Sequence, residues 1–208
     1  PVMHDDQHGT AVVALAALLT AVGRVGKKLD ECTVGQVGLG AAGMGIAGLL
    51  HHYGAGRLLG ADLDPDAMDR FVSLGGEASS LPGVMAEADV VIATTGVKGL
   101  IKPDMVREGQ VIVALSNPEP EISREDALAN GAVFAADGKG INNVLGFPGI
   151  FRGALDAKAT EITEKMKIAA ALTLSELAGE GELVPDPLDP KIHAQVSLAV
   201  FSAVPGII

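Results

Sequence analysis

Tryptophan is absent from these 208 residues, tyrosine occurs once and phenylalanine five times. A core without large rings must be packed from aliphatic and small side chains. With 27 glycines and a hydrophobic share of 48%, that profile fits a compact α/β protein in which small residues let helices lie close on a sheet. A basic surplus is also missing. Lys and Arg number 15 against 26 Asp and Glu, a formal net charge of −11, which argues against nucleic acid and anionic membranes as partners. The one cysteine, Cys32, cannot form an internal disulfide, and a reducing cytoplasmic location is the simple expectation. The apolar stretch Ala11–Val22 is too short to span a bilayer and lacks the basic flank of a signal peptide, so it reads as a buried helix. The chain opens Pro1-Val2-Met3 without an initiating methionine, as a piece cut from a longer protein would.

What is present is a succession of short apolar strands separated by helical stretches. Strands are expected at Cys32–Val37, Arg57–Ala61, Asp89–Ala93, Gln110–Leu115 and Ala132–Ala136. Each is apolar throughout rather than alternating, as in a parallel sheet covered on both faces. Helices are expected at Ala11–Val22, capped by Thr10, at Ala41–Tyr53, and from Pro65 onward. After Pro148, Leu155–Leu177 has helical periodicity, and a last helix is expected at His193–Val204. The pattern predicts an α/β, Rossmann-like doubly wound parallel sheet of about five strands with flanking and C-terminal helices. Its divisions are an N-terminal segment 1–32, a dinucleotide-binding unit 33–153 and C-terminal helices 154–208 packing on the same domain. Such sheets carry function on the loops after the strand carboxyl ends. Here those loops hold Gly38–Gly43, Asp62, Thr94–Gly96, Asn117 and Asp137–Asn143.

Gly38-Leu39-Gly40-Ala41-Ala42-Gly43 matches G-x-G-x-x-G. Alone the pattern is weak in a glycine-rich chain. Context strengthens it, because it follows a strand, opens a helix and precedes Asp62 at the end of the next strand. Gly38 permits the tight turn, Gly40 lets the backbone approach a pyrophosphate, and Gly43 lets helix and strand pack closely. The helix start at Ala41-Ala42 offers N–H groups to phosphate. Asp62 can accept from ribose hydroxyls and repels a 2′-phosphate, with no Lys or Arg from Leu63 to Asp69. NAD is therefore expected rather than NADP.

His4-Asp5-Asp6-Gln7-His8 puts two carboxylates and two imidazoles in five residues. They read either as solvated charges at a helix start or as part of a divalent-cation site. A zinc site of the H-E-x-x-H kind fits less well, Asp being shorter than Glu. Asn117 before Pro118 reads equally as a turn residue, and Asn142-Asn143 as a helix cap.

The strings His4–Ala11, Gly38–Gly43, Leu115-Ser116-Asn117-Pro118, Asn142–Gly153 and Met166–Ala171 together resemble bacterial malic enzymes, in order and spacing, over nearly the whole chain. The resemblance is to the C-terminal NAD-binding domain only. It implies oxidation of L-malate by NAD or NADP, then decarboxylation to pyruvate with Mg2+ or Mn2+. It implies Asp6 as a metal ligand and Asp5 as the acid beside the catalytic lysine. Asn117 and Asn143 are implied as substrate contacts, and Asn117 also lies toward the nicotinamide. Thr10, Thr94, Thr95 and Gly96 are implied near the cofactor. One departure is the short, glycine-rich segment Ala135–Gly140, where the family usually has a longer run. The family's preceding domain, with its catalytic lysine, tyrosine and further metal ligands, has no counterpart here. The chemistry needs a base, an acid and several metal ligands. The inventory lacks them, so the chain by itself is expected to be inactive and its partners to be that missing domain and, as in the family, further copies in a homo-oligomer. A stand-alone NAD-binding or sensing module, or a related dehydrogenase for another substrate, are the competing readings.

Overall fold

The computed structural model describes residues 1–138, 141 and 143–204. Six parallel strands form one sheet: β1 (Val34–Val37), β2 (Leu58–Ala61), β3 (Glu77–Ala78), β4 (Val90–Ala93), β5 (Val111–Ala114) and β6 (Phe134–Asp137). Their spatial order is β3-β2-β1-β4-β5-β6. The chain moves outward from β1 through β2 and β3, then returns to β1's other side with β4. That reversal makes a crevice between β1 and β4, where ligands bind in sheets of this kind. Register makes the crevice level. Val37 pairs with Ala61 and with Ala93, Ala93 with Ala114, and Ala114 with Asp137. Five four-residue strands thus end on one line, and their loops emerge side by side.

The sheet has one strand more than the sequence predicts. β3 is two exposed residues at the edge, Glu77 and Ala78, with no apolar run to mark it. Several predicted strands also shrink at their ends, and β6 shifts from Ala132–Ala136 to Phe134–Asp137.

The eight helices among the described residues are α1 (Asp5–Arg24), α2 (Ala41–Tyr53), α3 (Pro65–Ser73), α4 (Leu81–Glu87), α5 (Arg124–Ala129), α6 (Phe147–Asp156), α7 (Glu164–Glu176) and α8 (Pro190–Ser202). Local chemistry starts most of them. Asp64, Ser80, Ser123, Thr163 and Asp189 each accept a backbone N–H at a helix start, which is the role of N-cap side chains. Gly54, at φ +87°, closes α2.

Thr10 is not a helix cap. α1 begins five residues earlier, with His4 at its N-cap and Asp5 and Asp6 in its first turn. Acidic side chains favour that end of a helix. The expected single periodic stretch Leu155–Leu177 is two helices, broken after Asp156 and restarted by the Thr163 cap. The last helix starts at Pro190, three residues before His193.

α1 is buried on all sides from Ala11 to Leu18. It lies against the sheet at β5, between α2 and α7, which accounts for an apolar run without amphipathic contrast. One core layer joins α1, α2, α6, α7 and α8 to Val34, Val90, Ile92, Val111 and Val113 of the sheet. The opposite layer joins α4 and α5 to Val37, Val91, Ala93, Ile112 and Ala114. Among the described residues no helix is long and apolar enough to cross a membrane.

Candidate functional site

The glycine loop is tied to three strands. Gly38 has φ +87°, its N–H donates to Ala61 O at 2.9 Å, and its carbonyl accepts from Thr94 Oγ1 at 3.1 Å and Gln36 Nε2 at 3.0 Å. A Cβ on Gly43 would lie 1.9 Å from Gly38 O, so α2 starts hard against the loop and only glycine fits. A Cβ on Gly40 would meet nothing within 4 Å. Gly40 and Ala41 are exposed and Ala42 is half-buried, so the first turn of α2 opens to solvent. An open helix N-terminus fits a phosphate, and these residues fit a dinucleotide.

Asp62 closes the loop from the β2 side. Its Oδ2 accepts Leu39 N–H at 2.5 Å and its Oδ1 accepts Asp64 N–H at 2.9 Å. Burial pushes its carboxyl up. The backbone N–H groups of Asp64, Leu39 and Leu63, together with the Arg70 charge, outweigh burial and hold it below the ordinary Asp value. Arg70, one residue past the cation-free run Leu63–Asp69, reaches Asp64 at 3.8 Å. The β2 end therefore carries two carboxylates against one guanidinium.

Across the crevice, Thr94 and Thr95 are half-buried, and Gly96 and Asn117 are exposed. Asn117 Nδ2 would lie 3.0 Å from a Cβ on Gly138, so the loops after β5 and β6 touch. The sequence reading missed Glu121, Ser116 and Gln36. Glu121 is fully buried and accepts from Thr95 and Ser116. Gln36 is 2% exposed and also donates to Thr94 Oγ1 at 2.9 Å. A polar residue inside an otherwise apolar strand was the available signal for Gln36. Nothing in a Pro- and Glu-rich turn distinguishes Glu121 from solvated acids.

The acid pair comes to the same end of the sheet. A Cβ on Gly45 of α2 would meet Gln7 O at 2.6 Å, so the first turns of α1 and α2 are in contact. Asp5 is half-buried and Asp6 exposed. Thr10 is one turn past Gln7 on the same face of α1. Asn143 opens a 3-10 turn, Asn143–Leu145, that packs on α1. Lys139, Gly140 and Asn142 lie outside the described residues. Among the described residues no group of three His, Cys, Asp or Glu side chains is placed to hold a metal ion. Two carboxylates fall short of the roughly six oxygen donors that Mg2+ or Mn2+ takes, so these residues do not make a metal site by themselves.

Behind the acid pair sits a lysine with 5% of its side chain exposed. Lys167 Nζ donates to Glu164 Oε1 at 2.8 Å and meets His8 Nδ1 at 3.1 Å. An ammonium has only donors, so His8 accepts at Nδ1 and carries its hydrogen on Nε2. Burial, then the Lys167 charge, with His4 adding and Glu164 opposing, lowers the His8 value below 6.5. Lys167→Met leaves His8 Nδ1 without its donor beneath α7. It is expected to cost about 2 kcal/mol, read as a lower midpoint in urea unfolding. An unchanged midpoint would count against the pair as a strut between α1 and α7.

A cavity of about 830 Å³ lies elsewhere, along β6, with Arg24, Arg124, Asp137 and Glu182 in its lining. No glycine-loop residue lines it.

Strand order, level strand ends and a glycine loop locked to the acid after β2 define a Rossmann-like α/β domain. No family model matches the chain. It is 56% identical over 204 residues to NAD-dependent malic enzyme 1 of Bacillus subtilis, covering 98% of this chain and 46% of that protein. To the bifunctional malic/malolactic enzyme of the same organism it is 40% identical over 230 aligned positions, covering 98% of this chain and 56% of that protein. The crystal structure of malic enzyme from Pyrococcus horikoshii superimposes with a TM-score of 0.86 at 36% identity, covering 97% of this chain and 54% of that one. The chain is thus a homologue of malic enzymes along almost its whole length. It spans about half the length of these relatives. NADP-dependent malic enzymes also occur among its relatives, one from Halomonas elongata at 33% identity. An alignment of 230 positions exceeds the 208 residues present, so the bifunctional enzyme carries residues within this span that the chain lacks.

Proposed function

We propose that the chain is the NAD-binding half of an enzyme that oxidises L-malate and decarboxylates the product to pyruvate. The likeness to malic enzymes supports the reaction, and the observation that carries the NAD-binding part is the Asp62 carboxylate bonded to Leu39 N–H, at the mouth of an open helix N-terminus. That arrangement offers a phosphate subsite and a ribose subsite side by side. Residues 33–153 are the dinucleotide unit, 1–32 bring the acid pair to its edge, and the C-terminal helices of 154–208 belong to the same domain, with α7 packed on α1 and α8 on α6 and α7. Gly38, Gly40, Ala41, Ala42 and Gly43 receive the pyrophosphate. Asp62 receives the adenosine ribose. Thr94, Thr95, Gly96, Asn117 and Thr10 flank the nicotinamide half. Bound NAD supplies a hydride acceptor there. Asn117 and Asn143 contact the substrate, Asp5 supports the catalytic base, and Asp6 gives one ligand to Mg2+ or Mn2+.

NAD is preferred over NADP because the two carboxylates at the β2 end outnumber the one Arg70 charge, and a 2′-phosphate would add two more negative charges. The base, the acid and the remaining metal ligands belong to the half of the enzyme that this chain does not span. Tyr53 does not supply them, since it ends α2 about 18 Å along the helix from the glycine loop. A cytoplasmic homo-oligomer is the expected assembly, and Leu155, Leu172 and Leu198, exposed on α6, α7 and α8, are apolar residues that contact with the other half or with a further copy would cover.

Calorimetric titration of the purified chain should show NAD binding more tightly than NADP, with no turnover when malate and Mn2+ are added. A preference for NADP overturns the role of Asp62. Binding of neither overturns the reading as a whole. Turnover near that of an enzyme spanning both halves overturns the claim that catalysis needs the other half.

A further inference from the structure

Glu121 is fully buried and lies outside every motif discussed above. Its Oε1 accepts from Thr95 N–H at 2.6 Å, Thr95 Oγ1 at 2.8 Å and Ser116 Oγ at 2.5 Å. Its Oε2 faces Ser116 N–H at 3.4 Å. Both hydroxyls pass the connection on. Ser116 Oγ accepts Gly96 N–H at 2.7 Å, and Thr95 Oγ1 accepts Val97 N–H at 3.1 Å. One carboxylate therefore gathers three consecutive backbone N–H groups of the loop after β4, the first directly and the next two through a hydroxyl. The same carboxylate holds the start of the loop after β5. The Glu121 backbone is fixed as well, its carbonyl accepting Ile101 N–H at 3.0 Å.

Two consequences follow from donor and acceptor chemistry. A carboxylate is an acceptor only, so it suits a site where every neighbour donates. Three successive N–H groups turned toward solvent would form an anion-binding concavity. Turned inward to Glu121, they are withdrawn from the crevice. The glycine loop then holds the exposed N–H cluster for a pyrophosphate, while the β4 and β5 loops stand as a fixed wall beside it.

We infer that Glu121 is a positioning residue for the nicotinamide half of the dinucleotide: it locks the 95–97 loop to Ser116, sets the place of Asn117, and leaves phosphate to the glycine loop alone. The inference rests on the reading that NAD occupies the crevice. The adenosine half lies over β1 and β2, on groups that Glu121 does not touch, so the two halves can be tested separately.

The test is calorimetric titration of the wild-type chain and of Glu121→Gln with NAD and with ADP-ribose, which lacks the nicotinamide. The wild type should bind NAD more tightly than ADP-ribose. Glu121→Gln keeps the shape but presents an amide N–H to donors, and should lower NAD affinity about tenfold while leaving ADP-ribose within about twofold. Ser116→Ala, a smaller excision of the same link, should shift affinities in the same direction by about threefold, and serves if the first variant does not fold. A parallel loss of both ligands, or no loss of either, overturns the positioning role. So does equal affinity of the wild type for the two ligands. Failure of the wild type to bind either one instead overturns the underlying cofactor reading.

Discussion

Gly43→Ala is expected to lower the melting temperature by roughly 10 °C and NAD affinity on the order of a hundredfold. The added Cβ would sit 1.9 Å from Gly38 O, 2.9 Å from Gly38 C and 3.0 Å from Thr94 Oγ1. The first two are backbone atoms, so no side-chain rotation relieves the clash. The peptide between Gly38 and Leu39 is held at both ends. Its carbonyl accepts from Thr94 and Gln36, and its N–H donates to Asp62. Turning it away breaks those bonds, and backing α2 away opens the packing behind it. Overpacking of this kind costs about 3 kcal/mol, which in a chain of this size is on the order of 10 °C. Displacing the first turn of α2 also moves N–H groups off the phosphates. Loss of two charge-assisted bonds, about 3 kcal/mol, gives the hundredfold figure. Gly40→Ala is the control. Its Cβ meets no protein atom within 4 Å and its φ of −67° is ordinary. That variant should melt like the parent yet bind NAD more weakly, because the methyl enters the space the pyrophosphate needs. Differential scanning calorimetry and titration of both variants decide it. A Gly43→Ala protein with the parent's melting point would show that α2 does not rest on the loop.

The glycine loop and Asp62 were legible in the sequence because each is forced by one local demand: a left-handed turn, a close approach, an acid at a strand end. The strands were legible because a sheet covered on both faces needs apolar residues at every position. What escaped was whatever depends on neighbours distant in sequence. β3 exists because Glu77 and Ala78 pair beside β2, not because of their composition. Thr10 looks like a cap from its immediate neighbours, but α1 continues back to Asp5, into contact with α2 at Gly45. Nothing local in the sequence singles out Lys167 on its periodic helix, and only the approach of α1, which brings His8 from 159 positions away, makes it a buried partner. Glu121 is the clearest case. Its partners lie on two loops that meet only after β4 and β5 have paired, so no spacing rule announces them. The cation near Asp62 was missed for a related reason. Leu63–Asp69 holds no cation, whereas the coiling of α3 brings Arg70 back to Asp64, six positions earlier, at the strand end.

Asp62→Ala is expected to weaken NAD binding by about thirtyfold and to abolish most of the discrimination against NADP. The carboxylate does three things at once. It accepts Leu39 N–H and Asp64 N–H, it leaves lone pairs for the ribose hydroxyls, and it repels a 2′-phosphate. Charge-assisted bonds to a ribose diol contribute about 2 kcal/mol, equivalent to about thirtyfold. NADP keeps only the 3′-hydroxyl to donate to the carboxylate, and it is relieved of repulsion of its 2′-phosphate when the carboxylate goes. Arg70 remains near the strand end, where it reaches Asp64, so NADP affinity should rise while NAD affinity falls. The pH dependence has a definite sign. The folded carboxyl lies below the ordinary Asp value, so its stabilisation is complete above about pH 3.9 and is lost as pH falls through the lower folded value. Asp62 should therefore contribute no slope to NAD affinity between about pH 5 and 8, and the gap between parent and variant should stay constant across that range. Paired titrations with NAD and NADP at several pH values measure both effects. An Asp62→Ala protein that keeps the parent's NAD-to-NADP ratio would assign the discrimination to another residue, and a gap that narrows toward pH 5 would show that the backbone N–H groups of Leu39 and Asp64 do not hold the carboxyl as the geometry requires.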